Sequence, residues 1–351
     1  MKILHLLQSN RFSGAENVVC QIISILSDTN IDFIYCSRDG QIRESLYERK
    51  IKFSPIDKLS VSEVKRVINK EKPDIIHAHD MRASFYASLV CGNIPIISHI
   101  HNNNFDSRGL SLKSILYCYA AKKAKHIFWV SKSSFTGYIF HNFFKDKSTI
   151  LYNIIDIDSL YKKMQLDNNS YNYDVVYLGR LTYPKNPQRV IDVLEKVIRV
   201  KNNLKVAIIG TGDLSDEIVQ MIKYKKLETN IDYLGFQTNP YKILHDSKVM
   251  IMTSRWEGTP MCALEAMSLG VPIVSTPTDG LNELVLDGDT GYLSSDDDAL
   301  ANKICNILNN EQLRKKLSLN SSRKAKELMN IDDYKRKILR IYDYYFIHDK
   351  N

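Results

Sequence analysis

Glu257-Gly258-Thr259-Pro260-Met261-Cys262-Ala263-Leu264-Glu265 follows a short apolar run at 248–252, and its reading decides the fold of the chain. The apolar run has the length of a buried strand. Thr259 is a good N-cap and Pro260 suits the first helical position, where no amide donor is needed, so a helix is predicted to begin there. Strand, loop and helix together make one βα unit. Glu257 then stands in the loop and Glu265 about two turns into the helix, roughly 12 Å apart at about 1.5 Å per residue. Two carboxylates sharing a proton lie much closer. The spacing suits one elongated ligand gripped at two places, with the free amides of the helix N-terminus between them for an anion.

The same unit repeats along the chain. Apolar runs at 2–7, 31–36, 73–77, 95–99, 126–130 and 148–152 alternate with helical patterns near 15–27, 41–50, 60–70, 82–91, 111–124 and 132–141. A second series places strands at 174–178, 204–209, 231–235, 248–252, 272–275 and 291–293. Alternating βα units imply parallel sheets covered on both faces, and two series imply an α/β chain of two doubly wound, Rossmann-like domains facing across a cleft. The first is placed at 1–160 and the second at 173–332. Residues 155–172 are polar and lack a clear period, so a linker is expected, centred on 161–172. The tail is helical, and no internal repeat is evident.

The chain's 351 residues are ample for two domains, and 44% hydrophobic with 25% charged residues is ordinary for a globular protein. No window approaches a membrane span. The start MKILHLLQSN reads as a first strand rather than a secretory signal. Six scattered cysteines without CxxC or Cys/His spacing fit reduced thiols and a cytoplasmic location. The net charge of +8 is uneven, with 23 Lys+Arg against 16 Asp+Glu in residues 1–172. A basic first half favours anionic partners such as a lipid diphosphate or a membrane surface, or else simply solubilises.

Several residues carry candidate chemistry. Arg180 and Lys185 lie in the strand-to-helix loop after Tyr173–Leu178. A bidentate guanidinium and a point-charge ammonium there suit a diphosphate. Gly14 opens the first helix in Ser13-Gly14-Ala15-Glu16, where a missing side chain admits a ligand. Gly210-Thr211-Gly212-Asp213 resembles a dinucleotide loop, but Ser215 breaks GxGxxG, which argues against NAD. His77, His79, His99 and His101 follow two consecutive strands in alternating positions. A metal site is conceivable there, but hydrogen bonding of a strand-end histidine to a sugar or phosphate is the preferred reading, His101 first and His79 second. The Asp-x-Asp sequences at Asp156, Asp287 and Asp296 read as linker, turn and helix cap, so no metal and no cofactor is expected. Between 111 and 147, Lys122, Lys123, Lys125, Lys132, Lys145 and Lys147 mix with nine aromatics from Tyr117 to Phe144, a composition that suits peripheral membrane contact or a plain core.

Taken together, the E-x7-E of Glu257 and Glu265, the GRL…K of Gly179, Arg180 and Lys185, the Gly14 turn, and LGVPIVSTPTDGLNELVLDGDTGYL resemble the family 4 retaining glycosyltransferases of GT-B fold. The resemblance covers nearly the whole chain. It implies that Arg180 and Lys185 neutralise the diphosphate of a nucleotide sugar, while Glu257 accepts hydrogen bonds from sugar hydroxyls with help from amides near Gly258, Thr259, Pro260 and Met261. It also implies that Glu265 binds the ribose, that Gly14 approaches the phosphate, and that His101 contacts the transferred sugar. Gly210 joins the donor-binding set. The final helix, 333–351, would return to the first domain. Two departures stand out: Asn153-Ile154-Ile155 lacks the glycine that often follows this Asn, and Thr278-Asp279-Gly280 has one glycine where many members have two.

The expected activity is transfer of a hexose from a nucleoside diphosphate sugar, UDP-linked, to a carbohydrate or lipid-linked acceptor in bacterial surface polysaccharide assembly. With both glutamates committed to binding, no carboxylate stands out as a covalent nucleophile, and a same-face substitution follows. A nucleotide-sugar epimerase and a non-catalytic sugar-nucleotide binder are the alternatives. No nucleic-acid module is recognisable.

Overall fold

The computed structural model describes residues 1–12, 14–101 and 105–348. It resolves into two compact units, Met1–Ile154 with Asn330–Asn351 and Ile155–Met329.

In the first unit seven strands run β1 (Lys2–Leu6), β2 (Asp32–Cys36), β3 (Lys52–Phe53), β4 (Ile75–His79), β5 (Ile96–Ile100), β6 (His126–Trp129) and β7 (Ser148–Ile150). They form one parallel sheet in the order β3-β2-β1-β4-β5-β6-β7. Leu4, Leu6, Ile76, Ala78, Ile127 and Trp129 alternate onto one face and pack with Val64 and Val67 of the Val61–Glu71 helix and with Tyr117 and Ala121 of the Leu112–Lys123 helix. The alternate residues fall on the opposite face, where His5 pairs in register with His77, and His79 with His99. The terminal Ile331–His348 helix packs against β4 and brings Tyr342 to within 2.7 Å of His77 Nδ1.

The second unit has six strands: β8 (Val175–Leu178), β9 (Val206–Ile209), β10 (Ile231–Gly235), β11 (Val249–Met252), β12 (Ile273–Ser275) and β13 (Gly291–Leu293). They too are all parallel, in the order β10-β9-β8-β11-β12-β13. Near-continuous apolar strands such as Val249-Met250-Ile251-Met252 are what burial on both faces demands. The Pro187–Val200 helix buries Val190, Leu194 and Val197 against them, and the Asp297–Asn309 helix adds Leu300, Ile304 and Ile307.

Three expectations need correction. The division falls after Ile154 instead of 160, and the returning tail begins at Asn330 instead of 333. Half of the expected 155–172 linker is a helix, Ile157–Gln165, capped by Asp156 accepting from the Ser159 amide, and the segment belongs to the second unit. Ile157, Leu160, Tyr161 and Met164 recur at i, i+3, i+4 and i+7, a short helical period that the polar surroundings masked. The helix after Glu257 starts at Met261: Pro260, with φ −71° and ψ 118°, is the N-cap, and Thr259 lies one residue outside. The two-residue β3 was also too short to predict.

Candidate active site

In a doubly wound sheet the connections leave in opposite directions from two neighbouring strands, opening a crevice beyond their carboxyl ends. In the second unit those strands are β8 and β11. The loop after β8 carries Gly179-Arg180-Leu181 and a 3₁₀ turn at Tyr183–Lys185; the loop after β11 carries Thr253 to Pro260. The Lys185 and Glu257 side chains meet there. Lys185 Nζ donates to Glu257 Oε1 at 2.6 Å, with side-chain exposures of 14% and 8%. The Ser254 hydroxyl donates to the same oxygen at 2.6 Å. Oε2 of Glu257 accepts nothing from the described residues. Burial opposes the charge on Lys185, but attraction to Glu257 and their hydrogen bond outweigh it, and the ammonium is held above its ordinary range. The pair thus keeps a cation in place while leaving one carboxylate oxygen for a ligand.

Arg180 is exposed, its guanidinium without an ion-pair partner among the described residues, while its carbonyl accepts from the buried Tyr177 hydroxyl at 2.9 Å. The backbone of this loop is therefore anchored and its charge is at the surface. Around it the glycines are packing requirements. A Cβ on Gly210, at φ 131°, would lie 2.0 Å from the Gly179 carbonyl oxygen, and one on Gly280 would lie 1.4 Å from that of Gly258. Gly210 is thus explained by strand-end packing alone. The single glycine at 280 closes the loop, its amide reaching the Glu257 carbonyl at 3.4 Å.

Glu265 lies within the Met261–Ser268 helix, largely buried, and desolvation pushes its carboxyl up to about 7 against the lowering influence of Tyr241 and Lys163. The Tyr241 hydroxyl donates to it at 3.4 Å, and Lys163 Nζ stands 6.0 Å from the Tyr241 ring centroid. Lys163 sits in the stretch expected to be linker, so sequence reading missed it. Arg255 was missed as well. Its guanidinium stacks 4.4 Å from the Tyr183 centroid and donates to Asn186 Oδ1 at 2.9 Å, bracing the loop that holds Lys185. An Arg two residues before a glutamate in a βα loop was the available signal.

In the first unit the equivalent strands are β1 and β4. Gly14 opens the Gly14–Ile25 helix after β1, and a Cβ there would meet no described atom within 4 Å, so packing does not explain this glycine. Ser13 lies outside the described residues. His79 ends β4, and His101 follows β5, 7% exposed, its amide donating to Asp80 Oδ1 at 2.9 Å. The structure brings all four predicted histidines together and adds His5 of β1. Nitrogens of His5, His77 and His79, and of His79, His99 and His101, lie within 4.8 Å of one another. Neither group includes a carboxylate or thiolate, and the closest nitrogens are already hydrogen-bonded to each other. Desolvation lowers the His5 and His101 rings to about 3 and His77, His79 and His99 well below their ordinary range, so all five are neutral at neutral pH.

The aromatic set between 111 and 147 is mostly core: Tyr117, Phe128, Trp129, Tyr138 and Phe144 are buried, and Lys147 Nζ caps the Lys122 and Ala124 carbonyls. Tyr119 and Phe143 remain exposed, joined by Leu112, Ile115 and Leu116, which share one stripe of the Leu112–Lys123 helix. Among the described residues no helix is long and apolar enough to cross a membrane.

Comparison with known proteins agrees with this architecture. The profile described as Glycosyl transferases group 1 matches residues 161–324, and that of Glycosyltransferase Family 4 matches 12–159. An uncharacterized glycosyltransferase of Methanocaldococcus jannaschii is 30% identical over 60% of this chain, a match spanning only 57% of that relative's length. An Escherichia coli UDP-Gal:alpha-D-GlcNAc-diphosphoundecaprenol alpha-1,3-galactosyltransferase is 24% identical over 98% of this chain and 96% of its own. The crystal structure of Anabaena HepE in complex with UDP and glucose superposes with a TM-score of 0.85, 21% identity, and coverage of 98% of this chain and 100% of that one. With its two parallel Rossmann-like sheets, this chain belongs to the family 4 glycosyltransferases of GT-B fold.

Proposed function

We propose that this protein transfers a hexose, with retention, from a nucleoside diphosphate sugar to a carbohydrate or lipid-linked acceptor. One observation carries the reading: Lys185 and Glu257, from loops after β8 and β11, meet at the crevice position of the second sheet with Glu257 Oε2 left open. Arg180 grips the diphosphate through its planar fork, and Lys185 adds a charge that Glu257 keeps protonated. The open Glu257 oxygen accepts sugar hydroxyls, aided by the backbone N–H groups of Gly258, Thr259 and Met261. Glu265 takes the ribose hydroxyls at the far end. Gly14 approaches the phosphates, and His101 contacts the transferred sugar.

The main protein contribution to rate is electrostatic, since charge develops on the departing diphosphate where two cations wait. Glu257 and Glu265 are occupied in binding, so the acceptor attacks on the face the diphosphate leaves, and the leaving phosphate takes the acceptor proton. The residues named need no metal ion for these steps. A UDP-linked donor and a lipid-diphosphate acceptor are supported by the Escherichia coli relative, whose name specifies both, and UDP by the Anabaena complex. Surface polysaccharide assembly is the matching pathway class.

A lipid-linked acceptor fits the outward stripe of Leu112, Ile115, Leu116 and Tyr119, followed by Lys122 and Lys123. Apolar side chains beside lysines suit peripheral contact with an anionic bilayer from the cytoplasmic side. Flotation with phosphatidylglycerol vesicles, but not phosphatidylcholine, and its loss in Leu112→Glu/Ile115→Glu, are expected.

The donor is tested by thermal shift across nucleoside diphosphates and their sugars, because a ligand bound to the native state raises Tm. UDP and one UDP-sugar are expected to stabilise. Silence across the panel sinks the proposal, and conversion of the sugar into an isomer without acceptor would mark an epimerase instead.

A further inference from the structure

The turn that carries Lys185 is poorly suited to hold itself. Tyr183–Lys185 is a single 3₁₀ turn, and it ends on Asn186 at φ 51° and ψ 53°. Hydrogen bonds within such a turn are poorly aligned. The left-handed backbone of Asn186 is costly for a residue with a side chain, and Pro187 directly after it disfavours any helical conformation there. A conformation of this kind persists only where its surroundings over-determine it.

Those surroundings are the loop after β11. The Thr253 hydroxyl donates to the Asn186 carbonyl at 2.8 Å. Arg255 does the rest. Its amide donates to the Pro184 carbonyl at 2.8 Å, its Nε to the Tyr183 carbonyl at 3.2 Å, and a terminal nitrogen to Asn186 Oδ1, while the guanidinium lies over the Tyr183 ring. Of residues 183–186, Arg255 thus holds every one except Lys185. The Lys185 ammonium extends instead to Glu257, two residues beyond Arg255 in the same loop. It sits on a flexible four-carbon stem, so the backbone it leaves from decides where it stands. Arg255 itself has no carboxylate partner among the described residues.

We propose that Arg255 is a positioning residue for the diphosphate site: its fork fixes the 183–186 turn so that the Lys185 ammonium stays on Glu257 Oε1 and Oε2 remains open. This rests on the reading of Lys185 as a diphosphate contact. Arg255 thereby acts on donor binding through Lys185, without touching the nucleotide. A lysine at 255 is a poor substitute, because an ammonium neither lies flat on a ring nor spans two acceptors with one rigid fork.

Labelling of the full chain with acetic anhydride at pH 8, read by mass spectrometry, reports the accessibility of each lysine without any nucleotide. Arg255→Met should raise the Lys185 rate by about fivefold, as a locally opened turn exposes its amine. Lys225, 20% exposed and paired with Asp192 and Glu195, should keep its rate and so controls for general loosening. Arg255→Lys should retain most of the rise at Lys185. An unchanged Lys185 rate in Arg255→Met, an equal rise at Lys225, or full recovery by Arg255→Lys each overturns the positioning role. UDP affinity by calorimetry tests the coupling. Arg255→Met should weaken UDP by about tenfold in the otherwise unaltered protein but by less than about twofold in Lys185→Ala, because residues that act through one another are not additive. Equal losses in both backgrounds would make Arg255 a direct contact and overturn the proposal. If Lys185→Ala leaves UDP affinity unchanged, the diphosphate reading of Lys185 fails while the labelling result stands by itself.

Discussion

The two sheets share one winding plan yet finish their crevice strands in opposite chemical styles. At β8 and β11 the loops carry charges: exposed Arg180, the Lys185–Glu257 pair, and Glu265 beyond. At β1 and β4 the ends carry neutral rings, His5, His79 and, from β5, His101. The contrast follows from burial. Charges survive where a partner or water compensates them, as Glu257 does for Lys185. Among the described residues the rings of His5, His77, His79 and His101 hydrogen-bond only to one another and Tyr342, and that of His99 to nothing, so desolvation strips their protons and leaves directional hydrogen bonding as their one capability. A charged end suits a diphosphate, and a neutral directional end suits a hydroxyl.

Acid should break the comparison most forcefully. His5 and His101 are depressed to about 3 from an ordinary 6.5, so between those values the unfolded chain binds protons that the native one refuses. Stability is full above pH 6.5 and falls as pH drops toward 3, by up to about 1.4 kcal/mol per unit for each histidine. Urea midpoints at pH 7.5, 6.0 and 5.0 should decline steeply, with hydrogen exchange locating the loss in the first sheet. A flat profile would refute the neutral-ring description.

Lys185→Ala comes next. It strands the Glu257 carboxylate, 8% exposed, and should cost about 3 kcal/mol of stability together with at least tenfold in turnover. Denaturant melts and UDP release measure the two effects. Arg180→Ala should lose a similar tenfold, about 1.4 kcal/mol of barrier, but keep its melting curve within about 0.5 kcal/mol because the side chain is exposed. If the two variants match in stability, the buried pair has been misjudged.

Glu265 supplies the smallest and most specific test. Its carboxyl is raised to about 7, and ribose hydroxyls bind the ionised form better. UDP affinity by calorimetry should therefore strengthen from pH 6 to pH 8, by up to about tenfold, and Glu265→Gln should abolish that trend. The stability sign is opposite: the raised carboxyl favours the protonated native state, so its contribution is lost as pH rises through about 7.

Much of this was legible in the residues. Alternation put His77 and His79 on one face of a strand, with His99 and His101 after the next, and Arg180, Lys185 and Glu257 were located in strand-to-helix loops. The Ile157–Gln165 helix, and Lys163 with it, escaped although Ile157, Leu160, Tyr161 and Met164 keep a helical period, because nine residues between polar flanks read more readily as linker. His5 escaped because a single histidine in a five-residue strand has no pattern. For the aromatics of 111–147 both readings, core and surface patch, stayed open in the sequence, since composition does not say which face of a helix is covered.

From the linear chain alone came the backbone rhythm and the loops that must lie at the carboxyl ends of strands, because side-chain periodicity and capping act over a few residues. Only folding decided which groups meet. Lys185 finds Glu257 across 72 residues, His5 finds His79 across 74, and His77 finds Tyr342 across 265. Strand order sets those encounters, and the desolvation that follows decides which of the groups keep their charge.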